Sequence, residues 1–559
     1  MRSRIRWSLL AAMVLLVSVF PAVGWADHNA REDTPNITAL GHSPWVPPTT
    51  GRRLVNSDLA FWGNTAYQGW YNGFRIIDIA DPNDPQELIT YEGCEGNQGD
   101  IMIWDTLLIR SWDAPAPADN PTTPEDESVD CGGEDVPPGF EGLHFFDVAD
   151  PADPVLIHSV DISNARMLAD FGINGCGSHT ATLVPDVEDN NRLLIYNSGS
   201  SGTCPGFEIV EIPLDDITSA DVVRREAVGR ACHDVVVFLD DVMRGVCAGG
   251  NGFAIFRMNP NRAGHGSLDN PHTMHNSPAI PDVTIAHTAA FTWDGEYFAF
   301  GHEPGGGTQA ACEDQDPDRF RTLWVYETAT GEEVGDWFLP RAQSAFENCT
   351  IHNFNFVPTS DGTDILVLGN YQAGTWVVDL TDPESPTTIA FSDPPPLDPT
   401  QLTAAGAWSS YWYNGFIYES EETKGFNVFE LSDPVVDNAV EFDHLNPQTA
   451  MQRLGREVTA SSQINIKHTG KPHRFAGRVR SDEVSCVGAG RDVVIKKVRS
   501  GPDRTVARTT TNGRGEYSAK HNKGGAGRYY AVAQGQTFVE DLDQITCTRA
   551  QSPTQRFNK

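Results

Sequence analysis

The chain has 559 residues, with 51 Gly and 37 Pro spread along its length and 76 acidic against 40 basic side chains, a formal net charge of −36. Helical apolar periodicity is nearly absent, so the length reads as two or three domains of short strands joined by turns. So acidic a body repels nucleic acid and anionic membrane, and the Rossmann, Walker, H-E-x-x-H and G-x-S-x-G patterns are missing.

In chain order, the first element is an export signal. Arg2, Arg4 and Arg6 precede the apolar run from Leu9 to Phe20, and Gly24 and Ala26 occupy small-residue positions. This predicts cleavage after Ala26 and a secreted or extracellular protein, associated with a cell wall in one reading. The apolar run is short for a membrane span and no later segment reads as one, so no transmembrane segment is expected in the mature chain. Residues 27–55 are read as an N-terminal extension. Ten cysteines, an even number without any C-x-x-C spacing, suggest disulfides in an exported chain. Sequential pairing gives Cys94–Cys131, Cys176–Cys204, Cys232–Cys247, Cys312–Cys349 and Cys486–Cys547.

Between residues 56 and 447 one pattern recurs seven times: a Gly, alternating apolar residues, an acidic or polar residue, then often D-P-x-x-P. It reads GFRIIDIADPNDP from Gly73, GLHFFDVADPADP from Gly142, GTWVVDLTDPESP from Gly374 and GFNVFELSDP from Gly425, with weaker copies from Gly206, Gly252 and Leu323. Each core is a period-two strand, ended where proline removes a backbone donor and fixes φ. Before each copy lies a strand, a turn and a strand, as in HTAAFTWDGEYFAFGHE from His287, where Asp294-Gly295 is a hairpin signal. With an outer strand, each unit supplies four. The predicted fold is all-β: a seven-bladed β-propeller followed by a small β-sandwich. The repeats resemble the LVIVD-repeat family of bacterial extracellular or surface proteins, most clearly from Phe74 to Pro82 and from Gly374 to Pro383. The resemblance implies propeller blades and no single activity. Closure is expected between the units at Ser409–Pro434 and Asp58–Pro85, with the outer strand drawn from residues 40–55 or 437–444.

Four histidines keep phase with this repeat. His179, His233, His287 and His352, spaced by 54, 54 and 65 residues, each begin the first strand of a unit. Such strands are innermost in a propeller, so the four imidazoles are expected on one arc of a central ring, with Asp58 and Asp100 at the matching positions of the earlier units. A set of this kind suits a divalent transition metal (Zn, Cu, Fe or Mn) and disfavours Ca and Mg. Two alternatives stand beside it: a structural one, buried imidazoles hydrogen-bonding neighbouring backbone, and a metal-free ligand or acid-base site. His302, Glu303, Arg110 and Asp113 are candidates for a pocket around the arc.

Residues 448–473 read as a polar linker with room for a short helix. Residues 474–550 resemble the prealbumin-like or carboxypeptidase-regulatory-like β-sandwich family, chiefly in RDVVIKKV from Arg491 and TTTNGRGEYSAK from Thr509, where Asn512 stands for the family's usual Asp. The stretch from Lys467 to Lys559 carries 18 basic and 8 acidic side chains, opposite in sign to the body; 551–559 is a tail. Two functions are open. One is a binding or adhesion role toward a cell-surface polymer, glycan or protein, which the two accessory-like modules favour. The other is a metal-dependent extracellular oxidoreductase or hydrolase using the histidine arc.

Overall fold

The structure, a computed structural model, describes residues 32–47, 55–94, 96–117, 130–199, 204–455, 457–469, 474–488, 490–521, 525–540 and 543–558. The signal segment lies outside them. The protein is all-β, built from antiparallel sheets, and Asn164–Asp170 is the one α-helix among the described residues.

Seven sheets between residues 37 and 431 are built on four antiparallel strands, a meander in six of them and a three-strand meander with an N-terminal strand added in the seventh. Their first strands are Asn56–Trp62, Ile101–Trp104, Thr180–Pro185, Asp234–Phe238, Ala286–Phe291, Phe354–Phe356 and Ala407–Tyr413. The seven sequence copies supply the third strands, such as Gly73–Asp78 and Gly142–Asp147. Their Asp-Pro endings work by local hydrogen bonding. Asp78 Oδ1 accepts from the Ala80 amide at 2.9 Å and Asp81 Oδ1 from Asn83 at 3.0 Å, and the pair recurs at Asp147/Asp150 and Asp379/Asp382. Such short polar side chains turn the strand while occupying backbone donors.

Each sheet is apolar on both faces, so each needs two neighbours. Consecutive sheets share one core after another: Ile101 and Phe146 pack with Phe74, Leu183 with Phe145, and Val237 with Phe207. The series continues to the seventh sheet, and the last core joins seventh to first, where Phe61 stacks on Tyr413 at 4.7 Å. A buried aromatic of this size contributes about 2–3 kcal/mol through the area it removes from water. The outer strand of the seventh sheet is Ile37–Pro44, antiparallel to Gly425–Leu431. It comes from the segment read as an extension and begins before the 40–55 window. Of the other window, His444–Leu445 pairs instead with the first strand of the first sheet.

The segment 442–451 crosses the far ends of the first strands. Asn446 exchanges two hydrogen bonds with the Ile103 backbone at 2.9 Å, Val237 donates to Gln448 O at 3.0 Å, and Thr449–Ala450 runs parallel to Val237 and Phe238. The segment thus lies at the ends of these strands opposite the histidines.

All five disulfides pair as the sequence order predicts. The linker reading of 448–473 changes. No helix forms in its described part; Glu457–Ala460, Ser462–Ile464 and Lys467–Thr469 instead pair with strands of the C-terminal unit. There, two sheets share a core of Phe475, Val479, Val493, Ile495, Tyr517 and Tyr529. Asn512 does the work of an Asp in its hairpin, its Oδ1 accepting from the Arg514 and Glu516 amides at 3.0 Å.

Candidate metal centre

The histidines sit where each first strand begins, and the backbone sets their common height. The amides of His179, His233 and His352 donate to Ser198, Ala248 and Gly369 carbonyls, each on the second strand of the same sheet. The four rings follow one another at centroid separations of 4.6 Å, 4.0 Å and 4.4 Å. Thr180 and Thr182 stitch their strand to the next one by donating to His233 O and Val235 O.

In every ring Nδ1 has an acceptor. His179 Nδ1 lies 3.2 Å from Asp113 Oδ1, and His233 Nδ1 lies 2.9 Å from Asp234 Oδ1. His352 Nδ1 meets the Trp408 carbonyl. His287 Nδ1 is 2.5 Å from Thr288 Oγ1, whose other contacts, Asp234 Oδ2 at 3.0 Å and Asn353 Oδ1 at 2.8 Å, are both acceptors. The Thr288 proton therefore goes to one of those oxygens, and Oγ1 accepts from His287. A carboxylate or carbonyl beside Nδ1 fixes the proton there and leaves Nε2 as a lone pair. This is how proteins orient imidazole ligands toward metals.

Two of these lone pairs meet a carboxylate. Glu303, just beyond the strand Tyr297–His302, places Oε2 3.8 Å from His287 Nε2 and Oε1 3.5 Å from His352 Nε2. Donors bound at about 2.0–2.2 Å to one ion stand about 3.0–3.6 Å apart, so small side-chain shifts suffice to close the site. The Tyr371 hydroxyl donates to Glu303 Oε1 at 2.7 Å and stands 2.9 Å from His352 Nε2. Tyr371 has φ of 52°, a left-handed conformation that costs a side-chain-bearing residue about 1–2 kcal/mol. A two-way backbone bridge to Ala407 holds it there.

Among the described residues, three groups of ligand atoms come together within 4.8 Å: His287–Glu303–His352, His233–Asp234–His287 and Cys94–Cys131–His144. All three are geometrically compatible with a divalent ion, but their chemistry differs. The second uses the Nδ1 edges, which carry protons, so Asp234 acts there as an outer support. The third offers no thiolate, because its sulfurs form a disulfide. His287–Glu303–His352 is the set with free lone pairs.

Burial sets the charge state of the rings. Burial and then the neighbouring rings His233 and His352 hold His287 well below the usual imidazole range, and burial lowers His352 despite Glu303. His179 is raised: burial opposes the charged form, but the charge and hydrogen bond of Asp113 outweigh it.

Several expected residues lie elsewhere. Asp58 and Asp100 join none of the ligand groups. Asp58 Oδ1 accepts from the Tyr411 hydroxyl at 2.7 Å, tying the first sheet to the seventh. Asp100 Oδ2 accepts from the Ala181 amide at 2.7 Å and Oδ1 from Ile101 at 3.1 Å, tying second to third. Burial pushes Asp58 up to about 6, and burial plus the Asp58 charge pushes Asp100 well above the carboxylate range. Arg110 is fully buried and donates to the carbonyls of Gly73, Trp70 and Tyr71 at 3.0–3.2 Å, bracing a turn instead of lining a pocket. His302 turns away from Glu303, its Nε2 2.6 Å from Arg319 O. Asp113 supports His179. Thr288, Asp234, Tyr371 and Trp408 were not singled out in the sequence. For the first two a signal existed: a polar residue follows each histidine, as Thr180, Asp234, Thr288 and Asn353.

The LVIVD repeat family matches residues 56–92, the first sheet's own meander. No curated protein matches the chain. Among solved structures, the chain is similar to one from the Mitotic Checkpoint Complex, with TM-score 0.39 and 10% identity over 78% of this chain and 100% of that one. It is also similar to the beta-propeller domain of Cps50 (Swd1) from Myceliophteria thermophila, with TM-score 0.36 and 10% identity over 70% and 99%. The N-terminal domain of Nup159 gives TM-score 0.39 and 9% identity over 72% and 96%.

Proposed function

We propose that this chain is an exported, closed seven-bladed β-propeller whose central opening holds one divalent transition-metal ion on His287, His352 and Glu303, and that it is a metal-dependent oxidoreductase or hydrolase. The observation that carries this reading is the protonation pattern: hydrogen bonding fixes Nδ1–H on both rings and leaves two Nε2 lone pairs beside one carboxylate. Cyclic packing of seven meanders supports the ring, and export rests on the N-terminal signal. Two imidazoles and a carboxylate leave coordination positions for water and substrate, as catalytic sites do, where structural sites are closed by four ligands. With iron such a set serves oxygen chemistry, and with zinc it activates water. Tyr371 stands beside the same atoms as a proton donor.

The test is metal content. Protein purified without an affinity tag is stripped and offered Zn, Cu, Fe and Mn separately. One equivalent of one ion is expected, lost in His352→Ala with the fold retained. Less than about a tenth of an equivalent of every ion would end the reading.

A binding role rests on a different observation. Arg478, Arg480, Ser461, Gln463 and Ser481 line a hollow of about 340 Å³ on the C-terminal unit, in the one basic stretch of the chain. We read that unit as a prealbumin-like β-sandwich holding an anionic surface polymer. Salt-dependent retention on a phosphodiester polymer, lost in Arg478→Ser/Arg480→Ser, is the expected result.

A further inference from the structure

At the end crossed by residues 442–451, a cavity of about 210 Å³ is lined by Trp104, Trp293, Phe442, Asp443, His444 and Met451 among others. The strand His444–Leu445 pairs with Phe61 and Trp62, the last residues of a first strand, so this cavity and the histidine arc occupy opposite ends of the first strands. The His444 imidazole packs against two indoles that also touch each other, Trp62 and Trp104 being 5.7 Å apart. It stacks on Trp62 at 4.5 Å and 20°, and Trp104 stands 5.3 Å away at 73°. Beside this ring cluster His444 Nε2 faces Met451 Sδ at 3.2 Å.

A thioether is a weak acceptor and no donor, so this contact is a poor use of a ring nitrogen if hydrogen bonding is its purpose. As a pair of ligands it fits well. Imidazole nitrogen and thioether sulfur are both suited to soft ions, and bonds of about 2.0 Å to nitrogen and 2.3 Å to sulfur reach one ion across such a separation. The indole and phenyl walls disfavour a strongly hydrated dication and cost a weakly hydrated monovalent ion little. Asp443 adds a carboxylate at the rim.

We propose that His444 Nε2 and Met451 Sδ form a binding site for a soft monovalent ion, Cu(I) or Ag(I), separate from the His287–Glu303–His352 centre. The two sites have no ligand in common, and binding involves no electron transfer.

The experiment uses the full chain freed of metal, titrated anaerobically with Cu(I) against a chromophoric Cu(I) chelator, and in parallel with Ag(I). One equivalent is expected, with tryptophan emission falling as the ion binds beside Trp62 and Trp104. Met451→Leu, which keeps the volume, should weaken Cu(I) binding by about tenfold or more and remove the quench. His444→Phe, which keeps the ring stack, should do the same. His352→Ala should leave both unchanged. Wild-type affinity and quench in Met451→Leu would overturn the site. Loss in His352→Ala with retention in Met451→Leu would move the ion to the arc, overturning this proposal while leaving the central reading intact.

Discussion

The first strands of the seven sheets carry two kinds of side chain near their starts, and the two end with different chemistry. In four of them His179, His233, His287 and His352 open the strand; in two others, Asp58 and Asp100 do. Both sets are largely buried. The difference is what remains after hydrogen bonding. On the histidine side Nδ1 is consumed and Nε2 is left. On the acidic side the carboxylates are consumed as stitches, Asp58 by Tyr411 and Asp100 by two backbone amides. A ligand is recognised by its unspent lone pairs, and residue type and position alone do not reveal them.

This contrast breaks most sharply at His287. His287→Ala should abolish binding of the divalent ion while leaving the circular dichroism spectrum unchanged, measured as bound divalent ion per chain after dialysis. On the acidic side, Asp58→Asn should stabilise the protein. A buried carboxyl raised from 3.8 to about 6 is favoured when protonated, so its contribution is present below pH 4 and is lost as pH rises through 6. Removing the charge should recover up to about 3 kcal/mol at pH 8 in denaturant unfolding, with metal content unchanged. Asp58→Asn protein that unfolds more easily and loses its ion would make Asp58 a ligand after all. A smaller effect is expected at Thr288. Thr288→Val removes the group that fixes the His287 tautomer and should cut metal affinity by about 10–100-fold without removing a ligand. His179→Ala should change affinity least, by less than about twofold, because that ring belongs to neither Glu303 contact.

Local chemistry explains what was legible. Third strands stood out because each has period-two patterning and four of the seven add an Asp-Pro turn that acts within six residues. Disulfide order followed because a meander keeps sequence neighbours together in space. The histidines could be placed in one row because the repeat sets their register. What escaped depends on distant partners. The strand Ile37–Pro44 finds Gly425–Leu431 across all seven sheets, and its sequence carries no sign of that pairing. Asp58 and Asp100 looked like ligands because Tyr411 and the Ala181 amide are invisible to spacing. Tyr371 lies in GNYQAG, where nothing announces a left-handed aromatic pointing at a carboxylate. Residues 457–469 read as a linker because their strands are short and mostly polar, each burying only a residue or two such as Ala460 and Ile464 while pairing with distant strands.

The most direct test is anomalous diffraction from crystals grown with the ion that the stripped protein takes up. A single peak is expected within about 2.2 Å of His287 Nε2, His352 Nε2 and a Glu303 oxygen. A peak between Asp58 and Asp100, or none at the arc from protein carrying a full equivalent, would contradict the assignment.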